Sequence, residues 1–277
     1  MRKINYPLIV SDFDGTLVKA DGTIGEKDKK AISEYIAAGG KFAISTGRMP
    51  AGILARAKEL GLKGMVCCCQ GAIIVDIESD EVVLEGRIPL ETTYKICKKM
   101  EEMDLHIHAY DLWDYYCNKD DEALKIYEFA VKSKAKIVNT MPISEFVQET
   151  KLQSCKVLAM VYAEENERVL NELKSENFKD CEVTKSSEYL VEVINKKYSK
   201  GTAVEFLAHY YNVPIEKTIA IGDQRNDLPM IEKVGLGIAV KNADEALKRA
   251  ADYVCPYTNE EGAIEKIIEE FGFCKED

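Results

Sequence analysis

The sequence has no long hydrophobic segment and no excess of positive charge. No apolar run approaches the about 18 residues of a membrane-spanning helix, and no basic start is followed by an apolar core and a small-residue cleavage site. The formal net charge is -11 and the pI is near 5.0, which argues against a broad electrostatic attraction to nucleic acid or anionic membranes. We therefore expect a soluble cytoplasmic protein that has neither nucleic acid nor a membrane as a partner.

The sequence also lacks the cysteine spacing of common metal and redox motifs. It has nine cysteines, an odd number, and no C-x-x-C pair, so we expect reduced thiols. Cys67, Cys68 and Cys69 are consecutive. Because neighbouring residues of a strand point to opposite faces, we interpret them as small buried hydrophobic residues rather than as ligands of one metal.

Histidine is scarce, with three residues in 277. His106 and His108 have the spacing of one strand face, on which they could act together as ligands. No cysteine stands beside them in the sequence and only one further histidine exists, so the sequence favours two histidines of the protein core over a zinc site.

Nucleotide-binding loops are absent as well. Neither G-x-x-x-x-G-K-[ST] nor G-x-G-x-x-G occurs, which argues against a P-loop or dinucleotide-binding protein. With 277 residues, of which 46% are hydrophobic, the chain can form one large domain or two smaller ones. No internal repeat or low-complexity segment is evident.

The most informative stretch is Ser11-Asp12-Phe13-Asp14-Gly15-Thr16-Leu17, which follows a short apolar run. That run predicts a buried strand, so Asp12 and Asp14 fall at its carboxyl end. In open α/β sheets, ligands bind at that end of the strands. Two carboxylates so close together repel each other unless a cation or a shared proton lies between them. An ordinary solvated Asp-Gly turn is the alternative interpretation.

Two further predicted strands end in polar residues, Thr46 and Asp223. Because the helices that alternate with these strands imply a parallel sheet, the strand ends lie along one edge, and Asp12, Asp14, Thr46 and Asp223 can converge. Clustered carboxylates need a cation, and hard oxygen ligands suit Mg²⁺, which commonly binds phosphate as well. Lys200, at the start of a predicted helix, would add positive charge for a phosphate.

Between these motifs, residues 86–194 alternate helices and strands without a polar cluster of their own. We predict three segments: 1–85 and 195–277 as the two parts of a Rossmann-like α/β core with a parallel sheet, and 86–194 as an inserted α/β domain. Trp113, Tyr115 and Tyr116 could line a pocket of this insertion, although aromatic residues at strand spacing more commonly belong to a core.

Four motifs together resemble those of the haloacid dehalogenase-like hydrolases, and the long insertion resembles the C2-type cap of the Cof-type phosphatases in that superfamily. The resemblance covers the whole chain. The motifs, in chain order, are Asp-x-Asp-Gly-Thr-Leu at 12–17, Ser-Thr-Gly-Arg at 45–48, Ser-Lys-Gly at 199–201 and Gly-Asp-x-x-Asn-Asp at 222–227.

The resemblance implies a Mg²⁺-dependent phosphatase. Asp12 would be the nucleophile that forms an aspartyl-phosphate, and Asp14 the general acid and base. The metal would be held by the side chains of Asp12 and Asp223 and by the backbone carbonyl of Asp14, with Asp227 supporting this metal-binding group. The physical requirements agree, because a metal keeps Asp12 ionised whereas Asp14 must hold a proton at one stage.

The resemblance also implies the phosphate-binding residues. Thr46, Gly47, Lys200 and Asn226 would contact or support the phosphate, and Arg48 would face the closing cap. One position departs from the family, since Gln70 stands where many relatives have Asn, which puts the contact expected there in doubt.

The implied substrate is a small phosphorylated metabolite, with a sugar phosphate or pyridoxal phosphate favoured, because an inserted cap of about 110 residues would enclose the site. A phosphomutase on the same scaffold and a phospho-acceptor signalling module are the alternatives. The former would require a sugar bisphosphate, and the latter would keep its aspartyl-phosphate. The expected assembly is a monomer or a weak homodimer.

Overall fold

The computed structural model describes residues 2–131 and 133–275. Its contacts divide the chain into two compact units. The first unit comprises the described parts of Met1–Gly47, Leu54–Val83 and Ser199–Asp277. The second unit comprises Arg48–Ile53 and the described parts of Leu84–Tyr198. The domain boundaries after residues 85 and 194 stay a prediction from the sequence.

Strands and helices alternate along most of the chain. The strands are β1 (Leu8–Asp12), β2 (Lys41–Ser45), β3 (Met65–Cys68), β4 (Ile73–Asp76), β5 (Val82–Glu85), β6 (His106–Tyr110), β7 (Tyr115–Cys117), β8 (Lys136–Ile137), β9 (Lys156–Met160), β10 (Cys181–Ser187), β11 (Leu190–Asn195), β12 (Thr218–Gly222), β13 (Leu236–Ala239) and β14 (Tyr253–Val254). The α-helices are α1 (Glu26–Ala37), α2 (Pro50–Glu59), α3 (Leu90–Glu102), α4 (Glu122–Val131), α5 (Ile143–Thr150), α6 (Asn166–Ser175), α7 (Lys200–Tyr210), α8 (Leu228–Ile231), α9 (Glu245–Ala250) and α10 (Ala263–Ile267).

An eight-stranded sheet has the order β14-β13-β12-β1-β2-β3-β4-β5, and its strands from β14 to β4 lie entirely in the first unit. The strands from β14 to β3 pair in parallel, and β4 pairs antiparallel with β3. Strands β1 and β12, which are neighbours inside the sheet, are buried along their whole length. Because they are parallel neighbours, their carboxyl ends lie side by side. The sheet, which is mostly parallel, confirms the predicted α/β fold.

The second unit contains a six-stranded sheet in the order β10-β11-β9-β6-β7-β8. Helices α3 and α5 pack against each other, and the apolar core of the unit joins them to one face of the sheet. From β6 this core takes Ile107 and Ala109, so the alternating residues His106, His108 and Tyr110 belong to the opposite face.

Three sequence-based predictions about the two units need correction or completion. The apolar pattern of Met65–Val75 predicts one strand, but Cys69 and Gln70 adopt left-handed backbone angles and turn β3 back into β4. Helix α5 and the short strand β8 were missed. The prediction that residues 86–194 carry no polar cluster is wrong, since the buried face of this sheet contains an ion pair between Lys156 and Glu192.

No helix in the described ranges is both long and apolar enough to cross a membrane.

Trp113 is 44% exposed, whereas Tyr115 is completely buried. The aromatic residues of this segment are therefore divided between the surface and the interior.

We expect the Lys156–Glu192 pair to destabilise the protein when only one partner is removed. The two charged atoms are 2.9 Å apart and both side chains are about 95% buried, so Lys156→Met leaves a carboxylate without its partner in the interior, at a cost of about 3–5 kcal/mol. The double variant Lys156→Met/Glu192→Leu should recover most of this loss. Urea unfolding followed by circular dichroism measures both, and equal losses in the single and double variants would contradict the expectation.

Asp28 in α1 should make stability depend on pH. The Asp28 carboxylate is buried and accepts a hydrogen bond from the backbone N–H of Glu265 at 2.8 Å, and burial raises its pKa above the ordinary 3.8. A group that binds its proton more tightly in the folded state loses stability as pH rises from 3.8 through the raised pKa. Asp28→Asn, which keeps an acceptor oxygen but cannot ionise, should therefore become increasingly more stable than the wild type over this range.

Asp21→Asn is the matched control for Asp28→Asn. Hydrogen bonds from Thr23 lower the pKa of the exposed Asp21 carboxyl, so the sign reverses and this variant should lose stability relative to the wild type as pH rises. Thermal unfolding across the acid range measures both variants. A constant difference between Asp28→Asn and the wild type would show that Asp28 does not contribute in this way.

Candidate active site

Two aspartates lie at the carboxyl ends of the neighbouring strands β1 and β12. Asp12 is the last residue of β1, and Asp223 follows β12 directly. Both residues are at least 94% buried. Their convergence follows from the parallel pairing of the two strands, which places residues that are more than 200 positions apart in the chain at one sheet edge.

Lys200 is the cation of this site. It is the first residue of α7, a helix whose start is fixed by reciprocal hydrogen bonds between Ser199 and Thr202. The ammonium Nζ lies 2.5 Å from Oδ1 of Asp12 and 2.6 Å from Oδ1 of Asp227, and the side chain is 1% exposed. A buried ammonium between two carboxylates fixes all three side chains, because each would be left uncompensated without the others.

Asp227 holds the loop after β12 as well as the lysine. Its Oδ2 accepts hydrogen bonds from the backbone N–H groups of Asp223, at 3.0 Å, and Gln224, at 2.9 Å. Both carboxylate oxygens of Asp227 are therefore engaged. This arrangement favours a supporting role for Asp227 over direct contact with a metal.

Asp223 is oriented by two residues to which the sequence analysis assigned no role. Thr16 Oγ1 donates a hydrogen bond to Oδ1 of Asp223 at 2.8 Å, and Gln224 Nε2 donates one to Oδ2 at 3.0 Å. Gly15 brings the backbone of the first motif against the same carboxylate, since a Cβ at Gly15 would lie 2.6 Å from Asp223 Oδ2. The threonine of the Asp-x-Asp-Gly-Thr motif was the available sequence signal for this contact.

Burial and mutual repulsion shift the ionisation of this group. Burial raises the pKa of Asp12 well above its usual range, Lys200 opposes the shift, and the charges of Asp227 and Asp223 add to it. Burial also raises the pKa of Asp223, although the hydrogen bonds from Thr16 and Gln224 act against it. Burial alone would lower the pKa of Lys200, but Asp12 and Asp227 more than compensate and raise it, so the lysine stays charged.

The site has the donor set of a divalent cation such as Mg²⁺. Asp12, Asp223 and Asp227 each offer a carboxylate oxygen, and these oxygens lie within 4.8 Å of one another. Three carboxylates face one ammonium, so negative charge is in excess when they ionise. Because Mg²⁺ prefers oxygen ligands and would neutralise this excess, the residues present fit the predicted metal, with Asp12 and Asp223 as the side chains best placed to hold it.

The remaining predicted residues lie in the segments that follow β1, β2 and β12. Asp14 is exposed, two residues beyond Asp12, and Thr46 is buried just after β2. Asn226 donates a hydrogen bond to Gln70 Oε1 at 3.1 Å, and a Cβ at Gly47 would lie 2.6 Å from Gln70 Nε2.

Gln70, the residue that departs from the family pattern, thus contacts one predicted phosphate-binding residue and lies against the backbone of another. Arg48 belongs to the second unit. The roles of these residues in binding phosphate stay predictions.

This chain is similar over most of its length to a protein-family model, to named phosphatases and to solved structures. The family model of the haloacid dehalogenase-like hydrolases matches residues 9–268. A Haemophilus influenzae protein named "Putative phosphatase" is 31% identical over 96% of this chain and 98% of its own. The Bacillus subtilis 5-amino-6-(5-phospho-D-ribitylamino)uracil phosphatase YitU is 27% identical over 95% of this chain and 97% of its own. A crystal structure of a haloacid dehalogenase-like hydrolase from Bacteroides thetaiotaomicron has a TM-score of 0.85 at 28% identity, covering 95% of this chain and 98% of that one.

We expect Gly15→Ala to weaken cation binding. Gly15 and Gly22 both have left-handed backbone angles, with φ of +85° and +79°, so alanine at either costs about 1 kcal/mol in strain. Only at Gly15 would the new methyl group collide with a carboxylate of the site. Mg²⁺ affinity measured by calorimetry should fall at least about tenfold in Gly15→Ala, equivalent to 1.4 kcal/mol.

Gly22→Ala is the matched control, because its methyl group meets only the flexible end of Arg56 at 3.3 Å. It should bind Mg²⁺ like the wild type. Equal affinities in the two variants would show that the position of Asp223 does not control cation binding.

Proposed function

The chain belongs to the family of haloacid dehalogenase-like hydrolases, and we propose that it is a Mg²⁺-dependent phosphatase that acts on small phosphorylated metabolites through an aspartyl-phosphate on Asp12. Similarity to phosphatases over nearly its whole length makes it a phosphoric monoester hydrolase. The observation that carries the proposal is the buried Asp12–Lys200–Asp227 network beside Asp223 at one sheet edge.

In the proposed first step, a carboxylate oxygen of Asp12 attacks the phosphorus of the substrate. The bond between phosphorus and the leaving oxygen breaks, and Asp14 donates its proton to that oxygen, which departs as an alcohol. The ion pair with Lys200 supports this role by holding Asp12 in one orientation. The exposure of Asp14 suits a group that must reach both the leaving group and solvent.

In the proposed second step, water hydrolyses the aspartyl-phosphate with the help of the same two residues. Asp14, now a carboxylate, removes a proton from water, and the resulting hydroxide attacks the phosphorus of the aspartyl-phosphate. The bond between phosphorus and the Asp12 oxygen breaks, which releases inorganic phosphate and restores the Asp12 carboxylate. Asp14 is then protonated again, so the protons balance over the cycle.

The Asp12 and Asp223 side chains would hold Mg²⁺, together with the backbone carbonyl of Asp14. When bound, the metal supplies positive charge that reduces the repulsion between a carboxylate nucleophile and a phosphate dianion. The chain's own contribution is to fix the ligands, since Thr16 and Gln224 orient Asp223. Asp227 holds the loop that follows β12.

We propose the phosphate-binding roles on the family pattern. Thr46 and Gly47, directly after β2, and Asn226, after β12, would provide hydrogen-bond donors to the phosphate oxygens, and Lys200 would add charge. The hydrogen bond between Asn226 and Gln70 supports a shared role for these two amides. Arg48 would contact the substrate on the side of its leaving group.

We propose a sugar phosphate, pyridoxal phosphate or a phosphorylated ribityl compound as the substrate. The last is added because the relative YitU is named for a phosphoribitylamino-uracil. We also retain from the sequence the predictions of an inserted cap at 86–194, a cytoplasmic location, and a monomer or weak homodimer.

Phosphate release from a panel of these three compound classes, with Mg²⁺ or with a chelator, tests the proposal. We expect turnover that requires Mg²⁺ and falls to background in Asp12→Asn, because the nucleophile is lost. Asp14→Asn should lower kcat by about 10²–10⁴-fold, the usual contribution of general acid–base catalysis. Asp80→Asn, an exposed aspartate paired with Lys58, is the control and should keep full activity.

Other outcomes would identify the alternatives. A long-lived phosphate on Asp12 without turnover of any compound would indicate a phospho-acceptor signalling module, and transfer that depends on a sugar bisphosphate would indicate a phosphomutase. Comparable hydrolysis of a phosphoprotein would overturn the small-substrate prediction.

A further inference from the structure

The sheet of the second unit carries a second group of potential metal ligands, on the face opposite its apolar core. His106 and His108 project from β6, and Cys117 lies on β7, directly opposite His108 in the antiparallel register. Residues directly opposite each other share a sheet face. The sequence placed the cysteine nine positions beyond His108, and pairing of the strands removes that separation.

The three side chains are close together and buried. One ligand atom of each lies within 4.8 Å of the other two, and His106 Nε2 is 2.9 Å from Cys117 Sγ. The exposed fractions are 7% for His106 and zero for the other two residues. In a tetrahedral zinc site, a ligating nitrogen and sulfur are about 3.5 Å apart, given their bond lengths of about 2.0 and 2.3 Å, so only a small opening of the group is needed.

His108 provides an independent indication of a ligand. Its Nδ1 faces the Tyr110 hydroxyl at 3.4 Å, whereas its Nε2 is buried and has no hydrogen-bond partner among the described residues. Leaving a buried polar atom unsatisfied costs about 1–3 kcal/mol. A hydrogen bond between His106 and Cys117 would explain why those two side chains are close together, but it would leave His108 Nε2 without a partner. Coordination of a metal by His106, His108 and Cys117 explains both observations.

The neighbourhood of His106 agrees with coordination. Its Nδ1 lies 3.3 Å from an Asp121 carboxylate oxygen, which would fix the ring with Nε2 directed at Cys117. A carboxylate on the outer nitrogen is the usual partner of a zinc-binding histidine. Two imidazoles and one thiolate form a borderline-soft set that suits Zn²⁺, in contrast to the all-oxygen acidic group of the first unit.

We propose that His106, His108 and Cys117 form a Zn²⁺ site within the second unit. Three protein ligands leave one tetrahedral position for water. On binding, the Cys117 thiol gives its proton to the buffer and becomes a thiolate, both imidazoles bind in the neutral form, and no electron is transferred. The metal would join β6 to β7, so its main effect would be on stability rather than on the reaction of the first unit.

Cobalt binding to the full chain tests this site separately from the acidic group. We would use Co²⁺ as the probe, in the Asp223→Asn variant with a phosphine reductant, so that cation binding by the acidic group is weakened. We expect one equivalent of Co²⁺ with a thiolate-to-cobalt charge-transfer band, displaced by Zn²⁺. Cys117→Ser in the same background should abolish the band, and His108→Gln should weaken Co²⁺ binding at least about tenfold.

Cys181→Ser is the matched control, because Cys181 is a half-buried cysteine of the same sheet that lies outside the group. It should keep the band. The proposal would be overturned if the Asp223→Asn protein showed no thiolate-to-cobalt band, or if the band survived when Cys117→Ser is added. X-ray absorption of the Zn²⁺-loaded Asp223→Asn protein gives an answer even if Cys117→Ser fails to fold. We expect one sulfur and two imidazole nitrogens around the zinc. A coordination shell of oxygen and nitrogen alone would refute the site.

Discussion

The acidic site depends on the ion pairs that the buried ammonium of Lys200 makes with two carboxylates. This ammonium lies between Asp12 at the end of β1 and Asp227 in the loop after β12, and Asp227 in turn accepts hydrogen bonds from the backbone that carries Asp223. One cation therefore fixes the relative positions of three carboxylates from two strands. Its charge is insufficient to neutralise them all, and this deficit suits the site to the divalent metal that we propose.

The second unit uses its sheet in a similar way, with polar groups collected on a single face. Residues such as Ile107 and Ala109 join the apolar core, and the alternate positions carry His106, His108 and, on β9, Lys156. Lys156 is compensated by Glu192, whereas His108 has an unsatisfied nitrogen. The two units differ in ligand chemistry, with oxygen donors in one and nitrogen and sulfur donors in the other, so they are suited to different metals.

Much of the first unit could be predicted from its sequence because its signals are local. The apolar run of β1, the glycine after Asp14 and the capping Ser199 each specify a short segment without reference to distant residues. Prediction from the sequence failed where contacts with distant residues decide the local structure. The turn at Cys69 and Gln70 depends on left-handed backbone angles inside an apolar stretch, and no local pattern indicated the burial of α5 against α3.

The chemistry of the first site follows from the sequence alone, since the residue types of its motifs and their places at strand ends are local properties that imply carboxylates, a lysine and a hydroxyl at one sheet edge. The partners of individual side chains depend on the folded chain: Thr16 with Asp223, Asn226 with Gln70, and Cys117 with His106. Such pairs are joined by strand pairing and loop packing over long or intermediate separations. Only the folded chain brings their atoms within a few ångströms.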